Sequence, residues 1–93
     1  MIARPTSPTW QEFDPASLTR GQVSLACAYM DGLRLEVSVW RTNGLKALVE
    51  RPIEDQGWKT LGRRAWTATS ESAQALAREW AEVVARSYTE YRK

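Results

Sequence analysis

From Gln22 onward, apolar and polar residues alternate with period two. "QVSLACAYM" puts Val23, Leu25, Cys27 and Tyr29 on one side, and "LRLEVSVWR" does the same with Leu33, Leu35, Val37 and Val39. "LKALVER" adds Leu45, Ala47 and Val49. The alternation predicts three strands sharing one apolar face. Asp31-Gly32 and Asn43-Gly44 are hairpin turn pairs. A two-residue loop at Asn43-Gly44 would set Val39 against Leu48 and Val37 against Glu50, mixing core and solvent faces. Three-residue loops at 30–32 and 42–44 instead pair Leu25 with Val37, Cys27 with Leu35, Val37 with Val49 and Val39 with Ala47. Burial of one face selects the three-residue loops at both turns.

After Pro52 the strand signal stops and "IEDQG" reads as a loop. A fourth strand is expected over residues 58–67, with Gly62 as the candidate bulge. Then "TSESAQALAREWAEVVARSYTEY" changes to three- and four-residue spacing. Ala73, Leu76, Ala77, Trp80, Val83, Val84 and Tyr88 form one apolar helical stripe, with Thr69 or Ser70 as the cap. Arg78, Glu82, Arg86 and Glu90 step by four along the other side as a solvated charge ladder. The expected fold is α+β: a four-stranded antiparallel meander with one C-terminal helix packed on one face, over residues 21–93. An antiparallel sheet needs only one covered face, so the other is left for a partner.

Residues 1–20 read as an N-terminal arm holding three of the four prolines. Ser7 before Pro8 and Asp14 before Pro15 each signal a short helical turn. The arm is expected to be loosely held, with Trp10 and Phe13 as its anchors where it docks.

Composition narrows the function. A chain of 93 residues supports one domain, and five tryptophans supply much of its buried area. With 13 basic and 11 acidic residues the net charge of +2 excludes a strongly polyanion-seeking protein but leaves room for a local basic patch. One cysteine and no histidine leave no intrachain disulfide, no Cys/His zinc site and no imidazole base. Cys27 falls on the expected core face as a small buried hydrophobe. Glu50, Glu54 and Asp55 read as a solvated acidic turn, and the singly scattered glycines form no phosphate loop. A non-enzyme without metal or cofactor is expected. With no secretory signal pattern and no apolar run of membrane length, a reduced, cytoplasmic, soluble protein without a membrane partner is expected.

Two surfaces stand out. The open sheet face displays Arg34, Glu36, Ser38 and Trp40, with Lys46, Leu48 and Glu50 on one side and Ser24, Ala26 and Ala28 on the other. The chosen register sets Glu36 opposite Glu50, a like-charge pair, with Arg34 diagonal to Glu50 and Trp40 paired with Lys46. Either this face is a recognition patch for a protein or nucleoprotein complex, or the N-terminal arm folds over it and covers Trp40. The second surface is "GWKTLGRRAW". Strict alternation puts Trp58, Thr60, Arg64 and Trp66 on one side and Lys59, Leu61, Arg63 and Ala65 on the other. Trp58, Lys59, Arg63 and Arg64 are suited to stacking a base and neutralising phosphates, the alternative reading of a small nucleic-acid-binding domain. The same charges also protect an edge strand, and Trp66 is placed to close the core. A homodimer through Tyr88 and Tyr91 is compatible with either surface.

The stretch "VWRTNGLKALVE", residues 39–50, resembles part of a family of phage anti-CRISPR proteins. Those are small sheet-plus-helix inhibitors that bind the backbone subunits of type I surveillance complexes. The shared pattern is an apolar residue and an aromatic, an Asn-Gly hairpin, a lysine, and a strand ending Val-Glu. A looser likeness lies near Arg64, Trp66 and Thr69, an Arg-aromatic-Thr entry into the last helix. The resemblance covers about half the chain, which departs from it by one residue at the turn and by a longer N-terminal arm. It implies a target-contacting aromatic and glutamate on one sheet face, at Trp40 and Glu50. In layout alone the chain is also similar to single-stranded-DNA-binding modules built from four strands and a helix.

Overall fold

The computed structural model describes residues 7–91, with the side chains of Glu90 and Tyr91 and all of residues 1–6 lying outside the described residues. In chain order the elements are β1 (Gln11–Glu12), a 3-10 turn (Pro15–Ser17), β2 (Gln22–Met30), β3 (Leu33–Trp40), β4 (Gly44–Ile53), β5 (Gly57–Trp66) and α1 (Glu71–Tyr91). The strands form one antiparallel sheet in the order β1-β2-β3-β4-β5, and α1 packs over β3 and β4. The α+β class and the C-terminal helix follow the alternation and the helical stripe. The strand added to the expected four is β1, drawn from the arm.

The arm is anchored along its described length. Asp14 caps the 3-10 turn by accepting from the Ala16 backbone N–H, as the Asp-Pro signal implies, whereas no turn forms at Ser7. Gln11 and Glu12 pair with Cys27 and Ala26, and the Phe13 backbone N–H reaches Leu25. Glu12 lies on the helix side of the sheet, ion-paired with Arg78, and Trp10, two residues earlier, shares that side. The indole donates to Glu82 at 2.9 Å, and the ring packs against both halves of the core beneath Arg78. Phe13, the other expected anchor, is 41% exposed.

This docking explains the largest departure from expectation. The first hairpin closes with a two-residue turn, Asp31-Gly32, whose φ values of 50° and 81° are those of a type I′ turn. Leu25 therefore faces Ser38 and Cys27 faces Glu36, while Ala26 meets Val37 and Ala28 meets Leu35. Leu25, Cys27 and Tyr29 point away from the helix, and Ala26 and Ala28 point beneath it, with Met30 packed against the core at the strand's end. The small side chains leave the volume that Trp10 fills, so an aromatic from the arm completes the core on that side.

The second turn keeps three residues, 41–43, but Trp40 pairs with Gly44, so the ladder is shifted by two from the expected register. A shift of two preserves the faces. Leu35 meets Val49, Val37 meets Ala47, and Val39 meets Leu45. Strand β4 also continues past Pro52 to Ile53, where the sequence reads as a loop. Its pairing with β3 ends at Glu50, so Pro52 has a strand on one side only and its missing N–H interrupts no second ladder.

In β5 the bulge falls where Gly62 suggests. Gly62 pairs with Val49, and Thr60 with Glu50, leaving Leu61 as the extra residue. The strict alternation therefore breaks: Trp58, Thr60, Arg63 and Ala65 share the open face, and Lys59, Gly62, Arg64 and Trp66 the helix side. A Cβ on Gly62 would lie 3.2 Å from Val84, so the glycine lets the helix approach.

Helix α1 starts at the Ser70 cap, whose hydroxyl accepts from the Ala73 backbone N–H. It meets the sheet through Ala73, Ala77, Ala81 and Ala85, all buried, flanked by Trp80, Val84 and Tyr88. Trp80 packs edge-on to Trp66, with ring centroids 5.9 Å apart. Leu76 and Val83, expected in the stripe, are 60% and 50% exposed. Alanine lets the axis lie close to Leu35, Leu45 and Val49, and that proximity lifts the flanking Leu76 and Val83 out of contact. Nor is the charged side a solvated ladder: Glu82 binds both Trp10 and Arg86, and Arg78 binds Glu12. No helix among the described residues is long and apolar enough to cross a membrane.

Candidate functional site

The described arm runs along the β2 edge and sends Trp10 to the helix side, not onto the face opposite α1. Strand alternation carries Cys27, Arg34, Glu36, Ser38, Trp40, Lys46, Leu48 and Glu50 onto this face. The five residues singled out there, Arg34, Glu36, Trp40, Lys46 and Glu50, are brought together. Their pairing is not the expected one: Arg34, not Glu36, stands directly opposite Glu50, and Glu36 stands opposite Leu48. Lys46 is opposite Ser38 and diagonal to Trp40.

The two-residue shift replaces a like-charge pair with a shared cation. Arg34 Nη1 lies 2.9 Å from Glu36 Oε1 and 3.0 Å from Glu50 Oε1. Its Nη2 donates to the Cys27 sulfur at 3.1 Å. All three charged side chains are less than a quarter exposed, so the pairing is only partly screened by water. Burial by itself would lower the Arg34 pKa, but the interactions with Cys27, Glu36 and Glu50 outweigh it and hold the guanidinium above its ordinary value. Burial pushes the Cys27 thiol up; Arg34 pulls it down, while Glu36 and Glu50 add to the rise. The thiol is therefore neutral at physiological pH. Cys27 is buried as expected, but beneath the guanidinium of the open face and not under the helix.

At the other end of the face Trp40 lies half-buried along the sheet. Its indole N–H donates to Ser38 Oγ at 2.8 Å, which satisfies the one polar side chain fully buried among the described residues. Gly21 leaves room for the ring edge, and Lys46 Nζ sits 5.2 Å from the ring centroid. Trp40, Ser38, Lys46, Leu48 and Arg63 border a shallow depression of about 280 Å³. Arg63, read from its sequence as part of the basic strip, stands opposite Leu48 and so beside Lys46; the bulge at Leu61 instead turns Trp58 and Thr60 to this same face.

The basic strip itself is divided. Trp58 and Arg63 are on the open face, whereas Lys59 and Arg64 are on the helix side, where Arg64 stacks over Trp66 at 5.1 Å. Trp58 lies near the tip of the β4–β5 hairpin and is 44% exposed. Tyr88 packs against the first core cluster, and the side chain of Tyr91 lies outside the described residues. Among the described residues no group of three or more acidic or thiol side chains is placed to hold a metal ion.

Compared with models of protein families, with curated proteins and with solved structures, the chain matches none of them.

Proposed function

We propose that this chain is a non-enzymatic binding protein that docks on a protein or nucleoprotein complex through its open sheet face and blocks it sterically. The observation that carries the reading is the face itself: half-buried Trp40 and the Arg34–Glu36–Glu50 network lie on one surface that the described part of the arm leaves uncovered. A pre-ordered aromatic and a fixed charge network lose little conformational freedom on docking, which favours affinity. The resemblance of residues 39–50 to anti-CRISPR proteins supplies the target class, a type I surveillance complex. Trp40 and Glu50, the two positions that resemblance singles out, share the open face in the observed register.

The test is an electrophoretic assay of target-DNA loading by a purified type I surveillance complex. Pre-incubation with the chain is expected to abolish loading, and the W40A/E50A double variant to restore it. Loading that is unaffected by the wild-type chain refutes the target class.

The alternative is direct nucleic-acid binding through Trp58, Lys59, Arg63 and Arg64. The division of these four between two sides of β5 favours it less, since a single strand would track one side.

A further inference from the structure

The open face is bipolar. Arg63 stands opposite Leu48, and Lys46 opposite Ala65, so the two cations are diagonal neighbours on adjoining strands. Among the described residues neither enters an ion pair. Lys46 leans instead over Trp40. Toward the other end Glu36 and Glu50 share the single cation Arg34, which leaves that trio with a net negative charge. Lys46 and Glu50 lie four positions apart along β4, about 13 Å at the usual strand rise.

A polyanion laid along this face would gain Lys46 and Arg63 and then meet the carboxylates of Glu36 and Glu50. A protein surface carries both signs and meets no such conflict. Covering Lys46 and Arg63 without a counter-charge would be costly, so the occupant must bring an anion to that end. The depression of about 280 Å³ between Trp40, Lys46 and Arg63 has room for an aspartate or glutamate side chain. The Trp40 N–H is already taken by Ser38, so the ring offers apolar contact and the cations supply the donors.

Resting on the reading of the open face as the docking surface, we propose that its occupant is a protein surface of opposite polarity. A partner carboxylate enters between Lys46 and Arg63 against Trp40, and a partner cation lies over Glu36 and Glu50. Charge complementarity of this kind sets register and partner choice.

The experiment titrates the ¹⁵N-labelled full chain with two probes and follows the Trp40 indole N–H and the Glu36 and Lys46 amides. One probe is a ten-residue peptide with two glutamates at one end and two lysines at the other. The second probe is a ten-nucleotide single-stranded DNA. The zwitterionic peptide is expected to shift these resonances saturably, and K46E/R63E to weaken it at least tenfold while its circular dichroism stays that of wild type. Shifts produced by the oligonucleotide at lower concentration than by the peptide overturn the inference, as does the absence of shifts with either probe. An oligonucleotide response would leave the open face as the docking surface and refute only the class of its partner. Failure of the surveillance-complex assay, in contrast, bears on the target and not on the polarity.

Discussion

Arg34 stands directly opposite Glu50 across the β3–β4 ladder, and one of its nitrogens serves both Glu50 and Glu36. Two carboxylates on one sheet face are tolerable here because a single partly buried guanidinium lies between them. Replacing Arg34 with methionine keeps much of the stem but leaves the two diagonal carboxylates without their shared cation. The expected loss is about 1–3 kcal/mol, the scale for removing one partner of a charged hydrogen bond in a partly buried site. Glu36→Gln should cost less, since Glu50 remains. Urea denaturation of the two variants checks the order.

The Cys27 thiol gives a signed pH dependence. Burial raises its pKa above the ordinary 9.0, so the neutral form is favoured in the folded chain. Its contribution to stability is complete below pH 9 and is lost as pH rises through the folded-state value. Wild type should therefore lose more stability between pH 8 and pH 11 than Cys27→Ala does. The urea midpoints of both proteins across that range measure the difference.

Trp10 ties the arm to the helix. Removing it exposes both core clusters, leaves Glu82 without its indole donor and opens the volume beside Ala28. Trp10→Ala should destabilise by about 3 kcal/mol, near the low end for aromatic-to-alanine changes because the ring is only half-buried. Thermal unfolding followed by circular dichroism provides the check.

Two glycines differ in what they tolerate. A Cβ on Gly44 would lie 2.5 Å from the Trp66 carbonyl oxygen, at a φ of 75°. Gly44→Ala should cost roughly 3 kcal/mol or more, combining backbone strain with displacement of the β4–β5 ladder. At Gly62 the nearest atom is a Val84 methyl at 3.2 Å, which yields by rotation of the side chain. Gly62→Ala should cost about 1 kcal/mol, near the lower limit of overpacking. Chemical denaturation of both variants tests the ranking.

Much of this fold is legible in the sequence because alternation and helical spacing are local signals. Leu33, Leu35, Val37 and Val39 occupy the helix side as their pattern requires, and Gly62 marks the bulge. What was not legible depends on partners distant in the chain. Nothing local in "QVSLACAYM" shows that Trp10 packs on the cluster of Ala28, so Leu25, Cys27 and Tyr29 were expected on the wrong face. The Asp31-Gly32 pair itself carries the signal for a two-residue turn, and the two-residue turn forms although it puts Leu25 and Tyr29 on the open face. Along the helix, counting large apolar residues assigned Leu76 and Val83 to the core, whereas the close sheet contact belongs to the alanines. On β3 and β4 the site's composition was readable, since a shift of two keeps every side chain there on its face, whereas the shorter first turn brought Cys27 onto the open face in place of Ala26 and Ala28. Its pairing was not, and the pairing determines that Arg34 neutralises Glu50.

The central claim is that the open face docks on its target. Biolayer interferometry of an immobilised type I surveillance complex against wild type, Trp40→Ala, Glu50→Ala and the surface control Leu76→Ser measures it directly. At least a tenfold loss of affinity is expected for Trp40→Ala and Glu50→Ala and none for Leu76→Ser, with all four proteins folded by circular dichroism. Equal binding by wild type, Trp40→Ala and Glu50→Ala would contradict it.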